Sequence, residues 1–282
     1  MSIKTIFVGP FYNGDMSERA PADSLVDYAI DMASNFGAHL SICVGIPRMA
    51  APSISFLGEA RGLIAKANHD RRDHAQTYAQ DVLARVRSTG VPADVSVEQD
   101  DYLSLARRFA FGARLADLAI MQPCDDLVSL LQGVTEEVLF NSGGPVIAPP
   151  VGWSRRAQVA KAVVAWDGSA RAARAIGDAI PLLARADSVE IVTIDGDSDA
   201  GKRVDGAEIA PRLARHCKHV RVTHLSASDG DIGGALATHA ELTRADLVVM
   251  GAYAHSRMRQ MVLGGVTRRM LGAPPAPVLM SY

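Results

Sequence analysis

Short unbroken apolar runs alternate with longer amphipathic stretches along all 282 residues of the chain. In the second half, residues 162–166 form such a run, followed by an Ala-rich stretch with helical spacing over 169–185. Residues 188–194 are rich in β-branched side chains, and 220–222 repeat that character more briefly. Residues 233–244 again read as helix, 247–250 as a buried strand, 262–271 as a helix and 278–280 as a last strand. Continuous rather than alternating apolar runs mark strands covered on both faces, and amphipathic helices between them supply the cover. The pattern predicts a doubly wound, Rossmann-like α/β fold, in which ligands bind outside the carboxyl ends of the strands. The first half reads in the same order, with a much longer middle helix over 57–88. The preceding stretch 47–58 is loop-like, carrying Pro47, Pro52 and Gly58.

The two halves repeat one another. Residues 4–10 align with 161–167, 116–121 with 245–250, 133–139 with 265–271, and 145–148 with 277–280. Four matches in one order identify a tandem duplication. The seam falls near Pro149, Pro150, Val151 and Gly152, giving domains over 1–150 and 151–282. Each copy is expected to hold its own five-stranded parallel sheet with helices on both faces. One sheet running through both copies is not expected.

Composition narrows the function. Aromatic residues make up only 5% of the chain, so the core must be built mainly from Ala, Val, Leu and Ile. Lys and Arg number 29 against 31 Asp and Glu, a net charge of −2, which lacks the basic excess of a nucleic-acid module. Cys43, Cys124 and Cys217 are too few and too scattered for a disulfide framework, which fits a reducing cytoplasm. The first residues run straight into a strand-like segment, so no signal peptide is expected. No apolar run approaches the roughly 18 residues of a membrane span.

Candidate chemistry concentrates in residues 251–267, which leave a buried strand and run into a helix. Glycines there allow a ligand to approach the backbone, amides converge on it, and the helix N-terminus favours an anion. Thr267 can add a hydroxyl. Asp167, at the carboxyl end of the first strand of the same copy, lies across the switch point as an acceptor for a ribose or base. The glycine pattern G-x2-G-x9-G-[ST] after the fourth strand, with the turn Asp167, Gly168, Ser169 after the first, resembles the universal stress protein (UspA-like) family. The resemblance covers both copies and implies a tandem member of that family, with the copies packed as a pseudo-two-fold pair and further homodimerisation left open. It also implies binding of ATP or another adenine nucleotide. Carried over by position, the phosphates and adenosine would meet Asp167, Met250, Gly251, Gly264, Gly265, Val266 and Thr267, with Ile194 lining the adenine pocket. The second glycine of the pattern is Ala254 here, and the final Ser or Thr is Gly265.

The first copy lacks these features. Pro10 stands where the aspartate would be, removing a carboxylate and a backbone donor. From Met121 to Gly133 is twelve positions, against fifteen from Met250 to Gly265, so its loop is three residues shorter. Pro123, Asp125 and Asp126 lie in that loop, and carboxylates repel phosphate. This copy is expected to be structural or regulatory. His216, Cys217, Lys218 and His219 have ligand-type side chains but no partner pair at metal-finger spacing. Two acids beside Cys124 would raise its pKa and blunt it as a nucleophile. Arg257, Arg259, Arg268 and Arg269 are solvated charges or phosphate partners around a helix start. The charged run from His69 to His74 reads as a solvated helix face. No catalytic residue is indicated, and the loop over 251–267 has no Asp or Glu to serve a transfer enzyme. The expected function is a cytoplasmic stress-response protein that binds an adenine nucleotide in its second copy, with no nucleic-acid or membrane partner. The alternative is a ligand-free dimerising module of the same fold.

Overall fold

The computed structural model describes residues 2–12, 16–50, 58–123, 130–195, 205–252, 254–257 and 260–282. The first half runs β1 (Thr5–Gly9), α1 (Met16–Phe36), β2 (His39–Pro47), α2 (Gly58–Ser88), β3 (Ala93–Asp100), α3 (Tyr102–Arg114), β4 (Leu118–Met121), α4 (Leu130–Asn141) and β5 (Val146–Ala148). The second runs β6 (Lys161–Ala165), α5 (Ala170–Leu183), β7 (Ser188–Asp195), α6 (Ala210–Ala214), β8 (Val220–Ser226), α7 (Ile232–Leu242) and β9 (Leu247–Gly251). It closes with a hairpin, β10 (Ala254–Arg257) and β11 (Gln260–Leu263), then α8 (Gly265–Gly272) and β12 (Val278–Ser281).

Each half is a five-stranded parallel sheet, as the patterning predicts. The expectation of two separate sheets is corrected. The strands form one ten-stranded sheet in the order β3-β2-β1-β4-β5-β12-β9-β6-β7-β8. The join is antiparallel, pairing Ala148 with Val278, Ile147 with Leu279 and Val146 with Met280. The palindromic order places a pseudo-two-fold axis perpendicular to the sheet, between Ile147 and Leu279. Such an axis keeps each face continuous across the join and points the carboxyl ends of the two sets of strands in opposite directions.

Both faces are covered. One core, with α1, α2, α5 and α6, holds Ile6, Ile42, Ile147, Ile176, Leu213 and Leu279. The other, with α3, α4, α7 and α8, holds Phe7, Phe109, Val138, Leu236, Val248 and Met270. Interior strands such as β9 are buried nearly throughout, which accounts for their unbroken apolar runs, whereas the edge strand β8 is largely part-exposed. Helix α5 shows how the sequence fixes a layer. The Ser169 hydroxyl caps it by accepting from Ala172 N at 3.1 Å, and Ala172, Ala175, Ile176, Ala179, Leu182 and Leu183 form its buried stripe. The small alanines let the helix lie close on β9 and β12.

The duplication is visible in one repeated aspartate. Asp117 Oδ2 accepts from the backbone of Lys4 (2.8 Å) and Thr5 (2.9 Å), tying the start of β1 to that of β4. Asp246 Oδ2 accepts from Ala160 (3.1 Å) and Lys161 (2.9 Å), tying β6 to β9 in the same way. Among the described residues, no helix is long and apolar enough to cross a membrane.

Candidate nucleotide site

In the second half the strand order changes direction between β6 and β9, the place where a doubly wound sheet opens a crevice. After β6, Trp166 N still donates to Val192 O at 2.9 Å, and the chain then turns away. Asp167 Oδ1 accepts from Ser169 N at 2.9 Å across Gly168, whose φ of +75° suits glycine. The exposed Asp167 carboxylate thus sits on a fixed turn at the strand end. The indole nitrogen of the preceding Trp166 is buried without a hydrogen-bond partner among the described residues.

Across the switch point, Met250 is buried in β9, and Gly251 ends the strand. A Cβ on Gly251 would lie 2.6 Å from Ala172 N and 2.7 Å from Arg171 C. The glycine therefore lets the first turn of α5 approach, a reason the loop pattern did not reveal. Gly264 caps α8 in an extended conformation with no side-chain hydrogen bond. Helices α3, α5 and α7, by contrast, are capped by Asp101, Ser169 and Asp231. A Cβ on the exposed Gly265 would meet nothing within 4 Å among the described residues. Val266 is half-buried. Thr267 is only 1% exposed, matching Thr135 of the first half, whose hydroxyl donates inward to Gln122 O at 3.2 Å. Ile194, near the end of β7, is half-buried against the same core.

The segment read as a glycine loop is partly a hairpin. Ala254 opens β10 and pairs with Leu263, and Arg257 pairs with Gln260. Helix α8 begins at Gly265, so the expected helix over 262–271 is corrected at its start. Arg259 and Cys124 lie outside the described residues. Arg268 is exposed, and Arg269 Nη1 lies 3.4 Å from Asp231 Oδ2. His216 and His219 are exposed beside the buried Cys217, whose thiol burial pushes up. Lys218 Nζ is 3.5 Å from Asp187, and His69 pairs with Asp73 on the surface of α2.

The equivalent crevice of the first half is filled. After β1 the chain keeps to β2: Gly45 N donates to Pro10 O (2.9 Å) and Tyr12 N to Gly45 O (3.2 Å). Phe109, from α3, lies over the strand ends, with its ring 5.1 Å from Phe11 and 5.7 Å from Phe7. A Cβ on Gly9 or Gly45 would come within 2.7 Å of Phe109. The buried Gln122 Oε1 accepts from Phe11 N at 3.1 Å. This aromatic plug escaped the sequence, where Phe11 and Phe109 look like ordinary core.

Residues 159–281 match the model of the universal stress protein family. Over its full length the chain is similar in fold to the crystal structure of a universal stress protein from Archaeoglobus fulgidus DSM 4304. The TM-score is 0.72 at 16% identity, covering 98% of this chain and 97% of that one. A putative universal stress protein from Pseudomonas aeruginosa UCBPP-PA14 superposes with a TM-score of 0.58 at 15% identity, covering 99% and 93%. No curated protein matches the chain in sequence.

Proposed function

From a chain whose residues 159–281 match the universal stress protein family model, we propose a protein that binds one adenine nucleotide, ATP or a relative, in its second half. It acts in stress response through conformation or partner contacts, without catalysis, in the cytoplasm. The observation that carries this reading is the pairing across one switch point of the Asp167 turn with a helix start that has no side-chain cap and an exposed glycine, Gly265, in its first turn. Amides in the first turn of a helix need acceptors, and phosphate oxygens supply them. The donor set therefore fits a nucleotide, with α8 amides and Gly265 toward the phosphates, and Asp167 and Ile194 toward the adenosine.

A second reading, a ligand-free dimerising module, is favoured by the hairpin β10–β11, which occupies part of the expected phosphate loop. Titration calorimetry of the full chain with ATP separates the two. The nucleotide reading expects one site per chain, abolished by Asp167→Ala. Silence at millimolar ATP supports the module, and two equivalent sites would contradict the plugged first half.

A further inference from the structure

We propose that the chain forms a two-fold dimer through the face that carries α3 and α7, with α3 of each copy lying along α7 of the other. The proposal does not depend on whether the crevice of the second half holds a nucleotide. Along α3, Leu103 is 56% exposed and Phe111 47%, and Leu115 at its end is 69% exposed. Their spacing is a multiple of four, with Arg107 between them, so they form one outward stripe rather than scattered apolar residues. At the other end of the same layer, α7 exposes Leu242 at 78%. An open groove of about 430 Å³ runs beside it, lined by Leu225, Ala235, Thr238 and Leu242 among others.

Charge selects the pairing. Helix α3 carries Arg107, Arg108 and Arg114 and no acid, whereas α7 carries Glu241 and no Lys or Arg, and Asp231 caps its start. Arg108 lies 3.3 Å from Glu98, Arg114 donates to Asn141 O at 2.7 Å, and Asp231 pairs with Arg269. Arg107 and Glu241 are exposed and have no ion pair among the described residues. Packing α3 on α3 would gather the arginines of both copies, whereas α3 on α7 brings Arg107 to Glu241 and covers both apolar patches. Symmetry allows this arrangement. The strand order puts α3 and α7 at opposite ends of one face. A two-fold axis parallel to the strands, between two such faces, sets α3 on α7 twice and closes the assembly at two copies. The strands of the two halves point in opposite directions, so the helices meet antiparallel. The Leu103 end then faces Leu242 of the second copy, and Phe111 faces its Gly234, Ala235 and Thr238, whose small side chains leave room for the ring. The join of β5 to β12 is already made within the chain, so this contact is a separate one.

The test is sedimentation velocity of the full chain, without nucleotide, over a range of concentrations. The native chain should pass from monomer to dimer as concentration rises, and added salt should weaken the dimer. Arg107→Glu and Glu241→Arg should each weaken it about tenfold or more, because each turns two attractive pairs into repulsive ones. The double variant, Arg107→Glu with Glu241→Arg, should regain most of the loss, a rescue that a misfolded chain could not show. Phe111→Ser should give a monomer that keeps the circular dichroism of the native chain. A native chain that stays monomeric at its highest soluble concentration overturns the proposal. So does a dimer that neither charge reversal weakens, or one whose double variant stays as weak as the single ones. None of these outcomes bears on the nucleotide reading, which titration with ATP tests separately.

Discussion

Glu190 shows what one buried charge does in this fold. It sits in β7 with its side chain 7% exposed, in a run otherwise apolar enough to read as plain strand. Arg221 Nη2 donates to its Oε2 and Thr223 Oγ1 to its Oε1, both at 2.6 Å, from the neighbouring β8. His239 Nε2, on α7, lies 3.3 Å from Oε2. Burial alone would push this carboxyl up, but the bonds from Arg221 and Thr223, with the His239 ring close by, outweigh it and hold the pKa below the usual value. A carboxyl depressed on folding contributes stability above its unfolded pKa, and that contribution is lost as pH falls through the lower folded one. Glu190→Gln should therefore cost about 1–3 kcal/mol at neutral pH, since charged hydrogen bonds are exchanged for weaker ones. It should also flatten the acid side of the stability curve. Urea midpoints of the two proteins at neutral and strongly acidic pH measure both effects. Parallel curves would show that the network does not tie β8 to the sheet.

At the scale of elements, the two halves share one fold and differ at its crevice. In the first, Phe109 from α3 closes the strand ends over Gly9 and Gly45, a filling that stabilises. Phe109→Ala should cost about 3–5 kcal/mol, as large core truncations do, and should create no second nucleotide site, because Pro10 and the short loop remain. Thermal unfolding and titration of the variant measure the two claims separately; a second ATP site appearing in it would mean that the plug alone silences this half. What the sequence disclosed follows from burial. Strands β6 and β9 are legible because both faces are covered, and their runs carry no polar break. Strand β8 is legible only over 220–222, because His224 and Ser226 at the sheet edge are exposed. The hairpin β10–β11 was hidden because Met261, Val262 and Leu263 suit a helix start as well as a short strand. The edge-on contact of Phe140 with Tyr282 leaves no local trace, since the two distant segments meet only through the sheet join.

At the scale of the molecule, the join decides whether the duplication behaves as one body or two. Ile147 and Leu279 at its centre are both fully buried, and each core runs through both halves. Separating the halves would expose these side chains at about 1.5–3 kcal/mol each. Clasps beside the join add to this. Arg185 Nη1 donates to Asn35 O at 2.6 Å with its guanidinium 3.9 Å from the centre of the Phe36 ring, and Asn35 Nδ2 donates to Ala157 O at 3.0 Å. Either half unfolding alone would strand this surface on the other, so the chain should unfold in one cooperative step. The placement of tryptophan makes this easy to measure. Both tryptophans, Trp153 and Trp166, follow β5, so their fluorescence reports the second half, whereas far-ultraviolet circular dichroism reports all helices. In guanidinium chloride the two signals should give coincident transitions in the native chain. Removing both clasps with Asn35→Ala and Arg185→Ala should lower the common midpoint, and any weakening of coupling should appear as a gap between the two curves. Two separate transitions in the native protein would show that the halves are independent bodies that merely share an edge.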